Sequence, residues 1–314
     1  AGTNLKITKL GLGTAPLGGL FTSVLESDSD DLIHAAFEHD INFFDTAPLY
    51  GHGLAEIRLG RILRNINKPY VLQTKVGRVL NATTNADKAW FADANPNLAP
   101  IFDFSAEGIK RSIDESLNRL GVDHIDIALM HDAEDHLASA IDEAYPVLDE
   151  YRSQGIIKGV GMGLNLCAPS IKIMQECDLN IALIAGRFTL LDQEAQEELF
   201  PLALKKNVSI LAAGVFNSGV LANPNPGGTY NYLPASDEII KRARAIGDFL
   251  KKQNISLTAA ALQFPLQHPA VTAVLTGARS RKELESNIKD FNTPLPAHVW
   301  EEMESAGLIQ KIWR

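Results

Sequence analysis

Short, nearly continuous apolar runs recur along the chain, and between them lie longer segments in which apolar residues return every three or four positions among charged ones. The runs are strand-sized and apolar enough to be covered on both faces, while the longer segments have the period of amphipathic helices. Strands are expected over Leu10 to Gly13, Asn42 to Asp45, Tyr70 to Thr74, Ile125 to Met130, Ile156 to Gly161, Ile181 to Ala185, Val208 to Ala212 and Val271 to Leu275. Helices are expected near Asp30 to His39, Leu54 to Asn65, Phe104 to Leu120, His136 to Tyr151, Pro169 to Glu176, Gln193 to Lys205, Asp237 to Leu250 and Leu257 to Phe264. A short helix in "RSRKELESNI" and an extra C-terminal one from Pro296 complete the set. Eight strands alternating with helices predict an α/β fold of the (β/α)8 TIM-barrel kind, one domain over residues 1–314.

Local signals support the helices. Ser105 is placed to cap a helix whose apolar face is Ile109, Ile113 and Leu117, and Gly121 is placed to stop it. Asp192 is a cap candidate, with Glu194 and Glu197 early and Lys205 and Lys206 late, as the helix dipole favours. A doubly wound open sheet is the rival architecture. Its nucleotide fingerprint is poorly met, because "GLGTAPLG" supplies Gly11 and Gly13 but has Pro16 where the third glycine belongs.

Long polar segments follow the third and seventh strands, "VGRVLNATTNADKAWFADANPNLAPIF" and "GVFNSGVLANPNPGGTYNYLPAS". Loops of such length are usually functional or disordered, and both leave the strand ends where barrel enzymes work. Trp90, Phe91 and Phe102 in the first, with Phe216, Tyr230 and Tyr232 in the second, are candidate pocket walls.

Charge narrows the possible partners. With 38 acidic and 29 basic residues the formal charge is -9, which opposes non-specific attraction to nucleic acid. Two cysteines, Cys167 and Cys177, make no disulfide framework, and the eight histidines show no HExxH spacing, so no metal is expected. The start "AGTNLKITKL" is unlike a signal peptide and no run is long enough to span a membrane, so a cytoplasmic protein is expected. No helix surface presents a pattern that fixes an oligomeric state.

Reactive side chains gather at strand ends: Asp45 closes "INFFD", Tyr50 follows five residues later, Lys75 closes "YVLQTK" and His131 follows "IDIALM". Singly, each has a dull reading as a cap, a packed phenol or a solvated charge. In a barrel they converge on one rim. A free phenol has a pKa of about 10, and a nearby ammonium held by a carboxylate favours its phenolate, so Asp45, Lys75 and Tyr50 form a candidate proton relay. His131 is placed to hydrogen-bond a substrate oxygen. The set suits carbonyl reduction or alcohol oxidation.

"NFFDTAPLYGHGLAE", "LQTK", "IDIALMHD" and "VLTGARSRKELESNI" together resemble the aldo-keto reductases over essentially the whole chain. The resemblance implies a (β/α)8 barrel binding NAD(P)H across the strand ends. It also implies a catalytic tetrad: Tyr50 exchanging the proton, Lys75 and Asp45 tuning it, and His131 orienting the carbonyl or hydroxyl. It places Gly13, Thr14 and Asp45 beside the cofactor, with Asn165 or the Met162 to Gly163 backbone in "GVGMGLN" and Ala185 or Arg187 in "LIAGRFTLLD" near the amide, and Phe216 flanking the nicotinamide. Trp90, with Tyr50 and His131, would contact substrate.

Aligning Asn287 with the family's adenine-binding asparagine brings Gly277 and Glu283 to positions that are often basic in members preferring NADP. A carboxylate there repels a 2'-phosphate, although Arg279 and Arg281 are within the same segment; NAD is expected, with NADP possible. Within the family, "LGLGTAPLGGL" and "AGRFTLLDQ" resemble the branch of aldose, L-fucose, L-galactose and pyridoxal dehydrogenases, which oxidise a cyclic hemiacetal to a lactone. The expected substrate is an aldose such as L-fucose or L-galactose. Alternatives are a pyridoxal 4-dehydrogenase, a general aldehyde or ketone reductase, and a non-catalytic cofactor-binding subunit.

Overall fold

The computed structural model describes residues 2–88 and 90–313. Eight strands, β1 (Leu10–Gly13), β2 (Phe43–Asp45), β3 (Val71–Val76), β4 (Ile127–His131), β5 (Gly159–Leu164), β6 (Ile181–Ala185), β7 (Ser209–Ala213) and β8 (Val271–Gly277), form a closed parallel barrel in chain order. β8 closes on β1 through Leu10 opposite Val274 and Gly13 opposite Gly277. The open-sheet rival is thereby excluded.

Strand alternation produces two apolar layers. Phe43, Val71, Ile127, Leu129, Ile181, Leu183, Leu211, Ala273 and Leu275 fill the barrel, with Leu5 and Ile7 packed against them. Their neighbours, such as Phe44, Leu72, Ala128 and Met130, point outward into the larger core beneath the helices. Glycine appears on the inner face where these side chains need the space: a Cβ on Gly11 would lie 2.7 Å from both Leu275 Cδ2 and Phe43 Cδ1. β5 carries glycine at 159, 161 and 163, and a Cβ on Gly161 would come within 2.7 Å of Leu129 Cδ2.

Ser105 caps the helix Ala106–Leu120 by accepting from Gly108 N at 3.1 Å, and Gly121 ends it in the left-handed conformation, φ 64°. Two expected helices are interrupted instead of continuous. The segment expected from His136 to Tyr151 runs through a π-helical stretch, Ala140–Ala144, before the α-helix Tyr145–Ser153. Pro146, which has no N–H to give, sits at the start of that second piece. The segment expected from Gln193 divides into a 3-10 turn, Glu194–Gln196, and the helix Leu199–Lys206.

The two long segments are more ordered than their composition suggests. The first contains an antiparallel hairpin, Arg78–Ala82 with Leu98–Phe102. It is laid back on the loop after β1 by Phe21 N to Trp90 O and Ala92 N to Gly19 O, each 2.8 Å. The second contains a smaller hairpin, Thr229–Tyr230 with Leu233–Pro234, turned by Asn231 and Tyr232. The predicted C-terminal helix is present as His298–Ser305. Among the described residues no helix is long and apolar enough to cross a membrane.

Candidate active site

The inner face of the barrel changes character toward the strand ends. Two residues past the apolar Phe43 stands Asp45; past Val71 stand Gln73 and Lys75; past Leu129 stands His131. All four polar residues are buried. Lys75 Nζ donates to both Asp45 oxygens at 2.8 Å and to Thr46 O at 2.9 Å, which uses its three protons. Gln73 Nε2 donates to Asp45 Oδ1 at 2.7 Å. Gln73 and Thr46 were not singled out in the sequence, although the alternation in "YVLQTK" puts Gln73 on the same face as Lys75.

Tyr50 reaches the group from the turn after β2. That turn is close-packed: Gly51 has φ 63°, and a Cβ on Gly18 would lie 2.5 Å from Gly51 N. The following helix, Leu54–Leu63, is pinned by its buried Glu56, which accepts from Thr74 Oγ1 at 2.8 Å and Arg119 Nε at 2.6 Å. The Tyr50 ring stands edge-on to His131, centroids 6.0 Å apart, and Lys75 Nζ lies 4.6 Å from the phenol ring centroid. The four predicted side chains therefore meet.

One expectation changes. The protons of Lys75 go to Asp45 and Thr46, and its ammonium lies over the face of the ring. Burial pushes the Tyr50 phenol well above its ordinary pKa, with Asp45, Tyr232 and Asp132 adding to the rise and Arg78 opposing it. Enclosure thus works against the phenolate that an adjacent ammonium favours. Burial also pushes His131 down to about 3, assisted by Lys75 and Arg78 against Asp132, so its imidazole is neutral near pH 7.

A polar brace surrounds His131. Asp132 accepts from Arg78 Nη2 at 2.9 Å and from Asn165 Nδ2 at 3.1 Å. Arg187 Nε donates to Asn165 O at 2.8 Å, and its Nη1 donates to Asp192 at 3.0 Å. Asn165 and Arg187, expected at the amide, thus also tie the ends of β5 and β6 together. Arg78, which sequence reasoning passed over, lies 3.9 Å above the Phe102 ring.

Residues 9–307 match the model of the aldo/keto reductase family. The chain belongs to that family. It is 38% identical to pyridoxal 4-dehydrogenase of Microbacterium luteolum, covering 98% of this chain and 96% of that one. It is 36% identical to D-threo-aldose 1-dehydrogenase of a Pseudomonas species, covering 98% and 97%. An aldo-keto reductase structure from Bacillus halodurans superposes with a TM-score of 0.77 at 24% identity, covering 99% and 96%, and bears on the fold alone. This aldo/keto reductase is therefore an NAD(P)-dependent oxidoreductase.

The rim fits a nicotinamide dinucleotide by what it leaves bare. At the ends of β1 and β8 the inward positions are Gly13 and Gly277, paired with each other, and Gly13 also pairs with Asp45. Thr14 Oγ1, Gln73 Oε1, His131 Nδ1 and Asn217 Oδ1 are buried without a hydrogen-bond partner. Such orphans are rare, and here they share one end of the barrel. Phe216 is half-buried in the loop after β7. Asn287 Nδ2 donates to Thr276 Oγ1 at 3.2 Å and to Gly277 O at 3.4 Å.

Arg279 and Arg281, which closely follow β8, are both engaged. Arg279 grips Glu283 through its backbone N at 2.9 Å and Nη2 at 2.6 Å. Arg281 reaches Asp31 at 2.9 Å and Glu38 at 2.7 Å. Burial opposes ionisation of Glu283, but the hydrogen bonds from Arg279 outweigh it and hold its pKa below the ordinary range. Glu283 thus acts less as an isolated repelling charge than as the partner that occupies Arg279. Trp90 stands over the rim with about half its surface exposed, stacked on Tyr232. Among the described residues no cluster suited to a metal ion is present.

Lys75→Met leaves the Asp45 carboxylate buried without its counter-ion, and breaking a buried pair from one side costs about 3–5 kcal/mol. Urea denaturation is expected to show that loss, with a smaller one in Lys75→Met/Asp45→Asn. Equal losses in the two variants would mean that the pair does not hold the barrel mouth.

Proposed function

We propose that this aldo/keto reductase uses NAD to oxidise the hydroxyl of a cyclic hemiacetal to a lactone, and that the hemiacetal is carried on a planar pyridine ring of the pyridoxal kind. The observation that carries this reading is the aromatic rim above Tyr50. Trp90 from the first loop stacks on Tyr232 from the second at 5.2 Å, and Phe21 stands 6.4 Å from Tyr232. Phe91 lies beneath them, 6.1 Å from the Tyr50 ring. Phe21, Trp90 and Tyr232 keep 44%, 49% and 38% of their surface exposed, which leaves π-bearing surface for a flat ring to stack on.

Backbone strain supports a purpose for Tyr232. It and Asn231 turn the hairpin with φ 65° and 48°, a conformation that favours glycine or asparagine and disfavours a bulky ring. The relative from Microbacterium luteolum, named a pyridoxal 4-dehydrogenase, supports the same substrate class. Aldoses are the second reading, supported by the name of the Pseudomonas relative.

In reduction the neutral phenol of Tyr50 gives its proton to the reacting oxygen as the carbon gains hydrogen with its electron pair. Oxidation is the reverse and starts from the phenolate, which, having first lost its proton to solvent, takes the hydroxyl proton as the hydride leaves for the nicotinamide. Neutral His131 hydrogen-bonds the reacting oxygen and fixes which face of the carbon is presented. Lys75 and Asp45 hold the phenol in place and lend the field of a fixed ion pair. A bound nicotinamide dinucleotide supplies the hydride chemistry; Gly13, Thr14, Asn165, Phe216, Gly277 and Asn287 are the residues that would hold it. With Arg279 and Arg281 both committed to carboxylates, neutral ribose hydroxyls suit the adenosine end better than a 2'-phosphate. Cys167 and Cys177 are buried and unpaired, with thiol pKa values pushed up by burial to about 12 and about 11, which suits a cytoplasmic setting.

Following reduced nicotinamide by absorbance with pyridoxal, L-fucose and L-galactose is expected to show fastest NAD reduction with pyridoxal. Turnover confined to simple carbonyls with NADPH rejects the proposal. Tyr232→Gly removes the ring yet suits the left-handed turn: KM for pyridoxal should rise about tenfold, equivalent to about 1.4 kcal/mol of lost contact, while the urea midpoint does not fall. An unchanged KM would show that the ring does not face substrate. Glu283→Gln frees Arg279 and is expected to shift the ratio of cofactor dissociation constants toward NADP; titration of both cofactors checks it, and a constant ratio refutes it.

A further inference from the structure

The brace around Asp132 has a use beyond tying strand ends. Asp132 directly follows β4 with φ 48°, a left-handed conformation uncommon for a residue with a side chain, and its N–H is fixed on Gly163 O at 3.0 Å. The strained turn brings its carboxylate beside the neighbouring imidazole: Oδ1 stands 3.6 Å from His131 Nε2. That is too long for a hydrogen bond, yet a shift of about half an ångström would make one. What prevents the shift is visible on the other side. Arg78 Nη2 takes Oδ2 at 2.9 Å and Asn165 Nδ2 takes Oδ1 at 3.1 Å. Arg78 is itself steadied by the Phe102 ring across its hairpin, where the two residues are register partners.

We propose that Arg78 is a positioning residue for His131: by occupying Asp132 it keeps that carboxylate from capturing the imidazole N–H that the substrate oxygen requires. The inference rests on the reading of His131 as the group that hydrogen-bonds the reacting oxygen. An unoccupied carboxylate next to an imidazole is a stronger acceptor than a hydroxyl or carbonyl, and it also favours the imidazolium. Either outcome turns His131 away from its task. Among the described residues, the charged and titratable groups around the imidazole are Tyr50 from the turn after β2, with Tyr232 from the second loop near it, Lys75 from β3 with Asp45 behind it, Arg78 from the hairpin, and Asp132 on its own strand end. Lys75 is held by Asp45 and Thr46, while Arg78 answers Asp132. Arg78 thus connects the first loop to the chemistry: when the hairpin is seated, the acceptor beside His131 is taken.

The test is a double-mutant cycle on the full-length enzyme, with NAD and the best hemiacetal substrate. Arg78→Met is expected to lower kcat by about tenfold to a hundredfold, the scale of a misplaced catalytic group. In the same variant the His131 pKa, pushed down in wild type by burial with Lys75 and Arg78 assisting, is expected to rise in an NMR titration, because one cation opposing the imidazolium is gone and Asp132 is left unanswered. His131→Gln assigns the resonance. Adding Asp132→Asn to Arg78→Met removes the competing charge and should restore most of kcat and lower the pKa again. A hairpin anchor alone would show neither the rise nor its reversal. If Arg78→Met leaves the His131 pKa unmoved, or if Asp132→Asn fails to restore turnover, the proposal is overturned. His131→Gln separates the two readings: unchanged turnover in that variant refutes the role of His131, while the titrations still report on whether Arg78 controls Asp132.

Discussion

A buried ammonium sets the terms for the barrel mouth. Taking an ion of this kind from water costs several kcal/mol even after relaxation, and only close, complete partnering offsets it. Lys75 has that partnering because two adjacent strands are in one register: Asp45 on β2 pairs with Gln73 on β3, so that Asp45, Gln73 and Lys75 share the inner face. A slip of one residue would turn the inner set of β3 outward, bringing Leu72 and Thr74 into the barrel and Lys75 into the packing beneath the helices. The ion pair therefore specifies register as much as chemistry. The fit extends to β5, where the bare face of Gly159, Gly161 and Gly163 makes room for the long inward side chains of β4 and leaves Gly163 beside the Lys75 stem.

Neutral acid and base groups follow from the same enclosure. The core that makes the Lys75–Asp45 pair close and specific also penalises charge on Tyr50 and His131, raising the first pKa and lowering the second. A site with one fixed ion pair and a neutral phenol is set to give a proton, whereas taking one back requires the phenolate that the enclosure disfavours. Burial is the first cause of the raised phenol pKa, and the ammonium beside the ring is already held by Asp45 and Thr46.

Much of this was legible in the chain because a parallel barrel writes its plan locally. β1 and β6 coincide with their apolar runs to the residue, and the tetrad lies at the ends of such runs or in the turn after one. β5 lies three residues later than its apolar run suggested. Ile156 there closes a helix, donating to Tyr151 O at 2.9 Å after the left-handed Gly155, while the strand proper is half glycine and carries little apolar signal. The hairpins were hidden for another reason. Arg78–Ala82 and Leu98–Phe102 are separated by a polar stretch with no two-residue turn signature, and their pairing depends on docking against the loop after β1. Gln73 could be found by counting faces along β3. Arg78 could not, since its value lies in a carboxylate more than fifty positions away.

The arrangement of charge around the mouth points to the kind of molecule it admits. Arg78 answers Asp132, Arg187 answers Asp192, Arg279 answers Glu283, and Arg281 answers Asp31 and Glu38. A strongly anionic substrate would have to take an arginine from one of these carboxylates, leaving the carboxylate exposed to the field of a chain whose net charge is already -9. A neutral ring asks for no such exchange. It can be held by stacking on the rim and by hydrogen bonds to groups that carry no charge. The self-neutralised arginines and the aromatic rim thus fit the uncharged ring proposed above as substrate better than they fit an anionic one.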